Sequence, residues 1–237
     1  MRALLLLFLL LPAMSWAQTV TLAMDPWPPF TEKGGKGVAV TLVRAALQRG
    51  GMQLKTVEKP WQEAWEGSVA GRYDGVLAVW YDEERAKALL FSEPYMSNRV
   101  VMVTRYKDKR DPQQLADLAG RKVGVVKGYA YHPDFDARQD FTRVESTSLA
   151  QSLQRLVRGE VDVVVDSEVA IQHWLHRNPK TAKQLHVHEK ALAERSLYLA
   201  INPHTPKAEA VVNNFNAAIK AMQQDGSLLR LVRAQPR

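Results

Sequence analysis

The chain has 237 residues, 46% of them hydrophobic and 24% charged, with a formal net charge of +7 and no cysteine. Such a composition suits an ordinary globular protein of one or two domains and excludes both a disulfide framework and a lipid-anchored cysteine. The Lys and Arg residues are scattered singly rather than gathered on one predicted element, so a solvated basic surface is expected and nucleic acid is not an expected partner.

The first element is separate from the rest. Met1-Arg2 precedes the apolar run Ala3 to Leu11, and Ser15-Trp16-Ala17 places small residues where a signal peptidase reads. Residues 1–17 are therefore expected to be a cleaved secretory signal, and the mature protein an exported, soluble, non-lipidated protein of a Gram-negative periplasm. The run is too short to span a membrane.

Val20 to Met24 predicts a strand that ends at Asp25-Pro26-Trp27-Pro28-Pro29-Phe30. Prolines lack the N–H that sheet and helix need, so a stiff, extended loop is expected, with Asp25 and Trp27 held at the strand's C-terminal edge. Trp27 there is either one wall of a binding site or a buried structural residue. The glycine-rich Glu32 to Gly37 lacks the spacing and the Lys-Ser/Thr of a phosphate loop and reads as a mobile hairpin. A helix over Val38 to Gln48, a strand over Met52 to Val57 and a helix from Trp61 to about Ala70 follow, which puts Trp61 in a first helical turn.

Asp74-Gly75 then enters the short apolar run Val76 to Trp80, the pattern of a fully buried strand. Asp82 is a good N-cap residue for a short helix over Glu83 to Lys87, so Arg85 falls in its first turn, just beyond the strand's C-terminal end. Open α/β sheets bind ligands there. A cation beside the positive end of a helix is unfavourable unless an anion meets it, and a guanidinium can grip a carboxylate with two parallel bonds. The plainer reading of the spacing is a solvated Arg85 paired with Asp82 or Glu84.

Asn98 to Thr104 predicts another apolar strand, and Thr104 to Asp108 a crossover into a second α/β series. Arg121 to Val126 is its first strand, closed by Lys127-Gly128-Tyr129. Ser148 and Gln151 form a capping box for a helix to Gly159, with Leu149, Leu153 and Leu156 on one face. Val161 to Val165 is a buried strand running into Asp166-Ser167-Glu168 and a helix to about Arg177. Strands over Leu185 to His188 and Ser196 to Asn202 lead to a long helix starting at Thr205-Pro206, with Val211, Phe215, Ala218 and Met222 on its buried stripe, and a last short helix over Leu228 to Val232.

Other constellations are weak. His186 and His188 share one strand face, but no third ligand lies within that element, which favours an exposed edge strand over a metal site. Asp134, Asp136 and Asp140 lack the glycine and glutamate of a calcium loop. No Gly-x-Ser-x-Gly elbow or His-Glu-x-x-His is present, so neither metal nor cofactor is expected.

The stretch Asp74 to Tyr95, DGVLAVWYDEERAKALLFSEPY, resembles the central signature of bacterial extracellular solute-binding proteins of family 3, in which a strand is followed by a Thr/Ser/Asp-x-x-Arg helix start and then Phe-Ser-x-Pro-Tyr. Here those positions are Asp82 to Arg85 and Phe91 to Tyr95, and weaker similarity extends over nearly all of the mature chain. The resemblance implies an α/β fold of two lobes joined by two crossovers, a clamshell with a ligand cleft between them. It divides the chain into residues 18–103 plus 194–237 for one lobe and 104–193 for the other.

The resemblance further implies that Arg85 grips a ligand α-carboxylate, that Trp27 and Trp61 flank the rest of the ligand, and that Asp166 or Ser167 completes the site from the second lobe. The chain departs from the family where Trp80 and Tyr129 replace small, mostly hydroxyl residues, so a narrower cleft or a different ligand is expected and recognition of an amino group is in doubt. The implied function is a monomeric, non-enzymatic periplasmic binding protein that captures a small carboxylated solute, an amino acid or a relative, for an ABC-type permease. The alternatives are a ligand sensor without a permease and a periplasmic cyclohexadienyl dehydratase using Glu168 or Asp166 as general acid.

Overall fold

A computed structural model describes residues 18–108 and 110–234; the expected signal, residues 1–17, lies outside the described residues. Ten strands form one curled, mixed sheet: β1 (Gln18–Met24), β2 (Met52–Glu58), β3 (Gly75–Trp80), β4 (Leu90–Phe91), β5 (Met96–Arg105), β6 (Lys122–Val126), β7 (Thr142–Ser146), β8 (Val163–Ser167), β9 (Leu185–Val187) and β10 (Ala193–Ile201). The order is β2-β1-β3-β10-β5-β8-β6-β7, with β4 on β10 and β9 on β5.

The chain makes two lobes of the same design. In the first, β1 lies between β2 and β3 and runs parallel to both; in the second, β6 lies between β7 and β8 and runs parallel to both. Strand-helix-strand connections produce this, because parallel neighbours need a crossover long enough to return the chain to the same edge. The predicted apolar runs occupy the centre of each lobe, and every position of β3 and of β8 is buried. Helices cover both faces of such strands, which explains continuous hydrophobic runs without alternation.

The two long strands β5 and β10 join the lobes. The first half of β5 pairs with β10 from Met96–Leu197 to Val100–Ala193, and its second half pairs with β8 from Val100–Ser167 to Thr104–Val163. One strand thus changes partners midway, so the backbone that links the lobes is held by ladder bonds on either side of the change.

Local signals explain most boundaries. Asp82 accepts from the backbone N–H groups of Glu84 and Arg85 and starts the helix Glu83–Ala86. Ser148 caps the helix Leu149–Arg158, which ends at Gly159 in the left-handed conformation (φ 77°) that glycine adopts without a Cβ clash. The reciprocal arm of the predicted capping box goes one residue further back, with Gln151 Oε1 accepting from Thr147 N–H.

Other boundaries differ from expectation. The long helix runs Ala208–Gln224 rather than from Thr205-Pro206, because the Thr205 hydroxyl turns to Asp74 instead of capping a helix. The proline loop is a tight turn rather than an extended segment. The N–H groups left available to it close on each other: Trp27 N–H donates to the Thr31 carbonyl at 2.9 Å, Phe30 N–H to the Trp27 carbonyl at 2.9 Å, and the Thr31 hydroxyl donates to the Asp25 carbonyl at 2.6 Å. No helix among the described residues is long and apolar enough to cross a membrane.

Candidate functional site

Two pairs of parallel strands, β1 with β3 and β6 with β8, run toward each other and aim their C-terminal ends at one place. β1 delivers Asp25 and Trp27, β3 delivers Trp80 and Arg85, β6 delivers Gly128 and Tyr129, and β8 delivers Asp166. Trp61, in the first turn of the helix Trp61–Val69, joins them. A narrow cleft, closed down to about 10 Å3 of free space, is lined by Asp25, Trp27, Trp61, Trp80, Arg85 and Tyr129, along with Ala78 and Val79.

Arg85 is half-buried and lines this cleft. Its Nη1 donates to the Trp80 carbonyl at 3.2 Å and its Nη2 to the Gly128 carbonyl at 2.6 Å. The guanidinium carbon lies 5.0 Å from the ring centroid of Trp61 and 5.4 Å from that of Trp65, within the range of a cation–π contact. Neither Asp82 nor Glu84 forms an ion pair with it; Glu84 pairs with Lys87 instead. Burial lowers the Arg85 pKa to about 10, opposed by the nearby Asp82 charge, so the side chain stays cationic at neutral pH. A guanidinium has five N–H donors, and those not committed to carbonyls are free to meet a carboxylate in the fork geometry that only arginine offers.

The two lobes meet through a few polar bonds. Trp61 Nε1 donates to the Gly128 carbonyl at 2.8 Å, so that one carbonyl serves both Trp61 and Arg85. Tyr129 Oη donates to Asp25 Oδ2 at 2.6 Å. Trp27 Nε1 donates to Asp166 Oδ1 at 3.0 Å across 139 residues of sequence. Gly128 has φ +76°, and a Cβ there would stand 2.6 Å from Gln62 Oε1 and 3.2 Å from Trp61 Cδ1. Only glycine lets the second-lobe loop approach Trp61 this closely while holding that backbone angle.

Tyr129 packs among the tryptophans. Its ring lies edge-on to Trp27, Trp61 and Trp80, with centroids 6.1, 5.6 and 5.5 Å away. Trp80 and Tyr129 thus fill part of the space between the strand ends, a ring inserted among three indoles. Edge-to-face pairs of this kind contribute roughly 0.5–1.5 kcal/mol each beyond area burial.

Two buried carboxyls complete the electrostatics. Burial raises the Asp25 pKa to about 6, against the lowering effects of the Tyr129 hydroxyl and the Arg85 charge. Burial raises Asp166 further, to about 7, against its hydrogen bonds from Ser167 N–H and Trp27, and the Asp25 charge adds to the rise. Asp166 Oδ2 and Trp80 Nε1 are buried without a hydrogen-bond partner among the described residues. Unsatisfied polar atoms of this kind are costly and concentrate at functional sites.

Of the eight residues singled out from the sequence, Asp25, Trp27, Trp61, Trp80, Arg85 and Tyr129 line the cleft. Asp166 sits behind Trp27. Ser167 turns away: its hydroxyl caps the helix Glu168–Arg177 through Ala170 N–H and donates to Asn98 Oδ1 at 2.7 Å. Glu168 pairs with Arg99 at 2.7 Å and does not line the cleft.

Sequence reading missed Trp65, the Gly128 carbonyl, Tyr131 and Arg195. Arg195 Nη2 donates to the carbonyls of Tyr81 and Ala130, clasping the second-lobe loop from β10. Tyr131 accepts from Val126 N–H at 2.8 Å and braces Tyr129 with centroids 5.8 Å apart. The Lys-Gly-Tyr-Ala-Tyr sequence itself was the available signal, since two tyrosines after a buried strand have to find partners for both rings and hydroxyls.

The family model for bacterial extracellular solute-binding proteins, family 3, matches residues 20–234. The L-cystine-binding protein TcyA of Bacillus subtilis (strain 168) is 25% identical over 196 residues, covering 82% of this chain and 70% of that protein. Among solved structures, an ancestral arginine-binding protein bound to arginine superposes with a TM-score of 0.78 at 22% identity, over 91% of this chain and 96% of that one. A histidine kinase sensor domain with similarity to periplasmic binding proteins gives a TM-score of 0.81 at 23% identity, over 92% and 95%.

Proposed function

This chain belongs to the bacterial extracellular solute-binding proteins, family 3, and from that premise we propose that it is a periplasmic receptor for a small carboxylated solute, an amino acid or close relative, which it hands to an ABC-type permease. One observation carries the reading: Arg85, its guanidinium laid on indole rings, converges with Asp25, Trp27, Trp61 and Trp80 at the C-terminal ends of parallel strands. A cation on an aromatic floor is a carboxylate grip, and its free N–H donors give that grip direction.

Residues 18–103 with 194–234 form one jaw, and residues 104–108 with 110–193 the other. As the jaws part, the Lys127 to Ala130 loop withdraws from the first lobe and takes the Tyr129 ring with it, and the guest enters between Trp27 and Trp61. Relatives named for arginine and cystine bracket the guest class. The guest's carboxylate takes the Arg85 donors, and its remaining body replaces the Tyr129 ring against the indoles. The carboxyl of Asp25, which lines the cleft, favours a guest carrying an amino or other cationic group above about pH 6, where it is ionised.

The test is a thermal-shift and calorimetric screen of mature protein against amino acids and small organic acids, repeated with Arg85→Ala. A guest that binds only the folded protein raises the melting temperature by mass action. The expected result is a shift with at least one amino acid that Arg85→Ala abolishes. Silence with every carboxylate, or a shift that survives Arg85→Ala, would overturn the reading.

A further inference from the structure

Away from the cleft, three side chains from two distant segments meet beside the end of β5. β9 pairs with β5 in the register Thr104–His186, and His188 N–H continues the ladder to the Met102 carbonyl at 2.9 Å. His186 and His188 are two residues apart, so both imidazoles stand on one face of the strand, with ring centroids 4.7 Å apart. Asp111 comes from the segment after β5, and its Oδ1 lies 2.9 Å from His188 Nδ1. One donor atom from each of the three lies within 4.8 Å of the other two. The third ligand that the strand itself lacks is supplied from the loop, and His188 is buried rather than exposed.

We propose that Asp111, His186 and His188 form a binding site for a divalent transition-metal cation of the zinc class. Two imidazoles and a carboxylate are the donor set such ions take, with a fourth position left for water. Metal–donor bonds are about 2.0–2.2 Å, so small side-chain rotations bring this cluster onto one ion.

Two further observations separate this site from a chance cluster. The hydroxyl of Thr104, itself buried in the ladder, lies 3.0 Å from His188 Nε2. A proton on Nε2 donated to that hydroxyl leaves the Nδ1 lone pair aimed at Asp111, the outer-shell arrangement that fixes a ligating histidine's tautomer. His188 Nδ1 is also buried, and the polar group that meets it is the Asp111 carboxylate.

The arginines around the site are already matched. Arg121 and Arg110 each meet Asp108 at 3.4 Å, and Arg105 and Arg110 each meet Asp162 at 3.6 Å. The bound ion would staple the loop that follows β5 to β9, in the second lobe.

The test is titration of the chelator-treated full chain with Zn2+ alone, read by calorimetry. His186 and Asp111 are both exposed, so His186→Ala and Asp111→Asn leave the fold intact, which circular dichroism checks. The expected result is one Zn2+ per chain, bound about tenfold or more weakly by either variant. The surface pair His173 and His176 is the control, and His173→Gln with His176→Gln is expected to change nothing. Absence of stoichiometric binding, or affinity that survives both His186→Ala and Asp111→Asn, overturns the proposal.

Discussion

The two lobes repeat one strand order, β2-β1-β3 and β7-β6-β8, yet they bring opposite kinds of surface to the cleft. The first lobe brings a cation and indoles fixed by packing: Trp27, Trp61 and Trp80 are all buried. The second brings a four-residue loop whose backbone carbonyl at Gly128 and side chain at Tyr129 make most of the contact. Topology fixes where strand ends converge, and the loop after each end fixes what they can hold. A packed wall facing a loop fits the proposed receptor, in which a guest would be gripped on one side and enclosed from the other.

Removing the first lobe's cation should have the largest effect. Arg85→Ala deletes the only cationic side chain that lines the cleft among the described residues and leaves a buried guest carboxylate unpaired, a loss of roughly 2–5 kcal/mol, or about 30-fold to several thousand-fold in Kd by calorimetry. Arg85→Lys, which keeps charge but not the fork, should recover only part of this. If Arg85→Ala binds the guest normally, the first lobe is not the grip.

The second lobe is broken at Gly128. Gly128→Val puts a branched Cβ at φ +76° and drives it toward Trp61 and Gln62, a strain of order 1–3 kcal/mol. The loop should stand off from the first lobe, freeing Arg85 and Trp61 from their shared carbonyl. Small-angle scattering should then report a larger radius of gyration than for the wild type, and an unchanged radius would show that this contact does not hold the lobes together.

Much of this architecture was legible locally. The buried runs of β3 and β8, the Asp82 cap and the amphipathic helix Leu149–Arg158 follow from residue pattern alone. β7 was not, because Thr-Arg-Val-Glu-Ser buries only Ser146 and offers no hydrophobic run. β4 has just two residues and exists through its pairing with β10. The site's residues were named one by one from motif and resemblance, but their partners were not. The Trp27–Asp166 bond and the Asp111–His188 approach join segments that no periodicity relates.

The comparison also has a pH axis. Asp25 and Asp166 have pKa values raised by burial from 3.8 to about 6 and about 7. When the lobes part, both carboxyls meet water and return toward ordinary values. Between about pH 4 and pH 7 the closed form therefore holds protons that the open form has lost, and acidification favours closure. Their contribution to closure is complete below the ordinary carboxylate pKa and is lost as pH rises through about 6 and then about 7. Tryptophan fluorescence followed from pH 4.5 to 8.5 should show a transition in that window that Asp25→Asn with Asp166→Asn flattens. A transition of the opposite sign would mean that both carboxyls are ionised in the closed form.

The smallest effect separates two roles for one residue. Ser167 adjoins Asp166 at the end of β8, where the family resemblance implies a ligand contact, but its hydroxyl accepts from Ala170 N–H at 3.3 Å and donates to Asn98 Oδ1. A fully buried hydroxyl whose only proton goes to a β5 partner and one of whose lone pairs caps a helix has no proton left to give a guest. Ser167→Ala should therefore lower stability by about 1 kcal/mol through the lost cap and leave the Kd for the guest within about twofold, a change under 0.5 kcal/mol. Chemical denaturation reads the first quantity and calorimetry the second. A tenfold loss of affinity with stability unchanged would return Ser167 to the ligand side of the β8 strand end, making the second lobe's contribution a side-chain grip as well as a loop that closes.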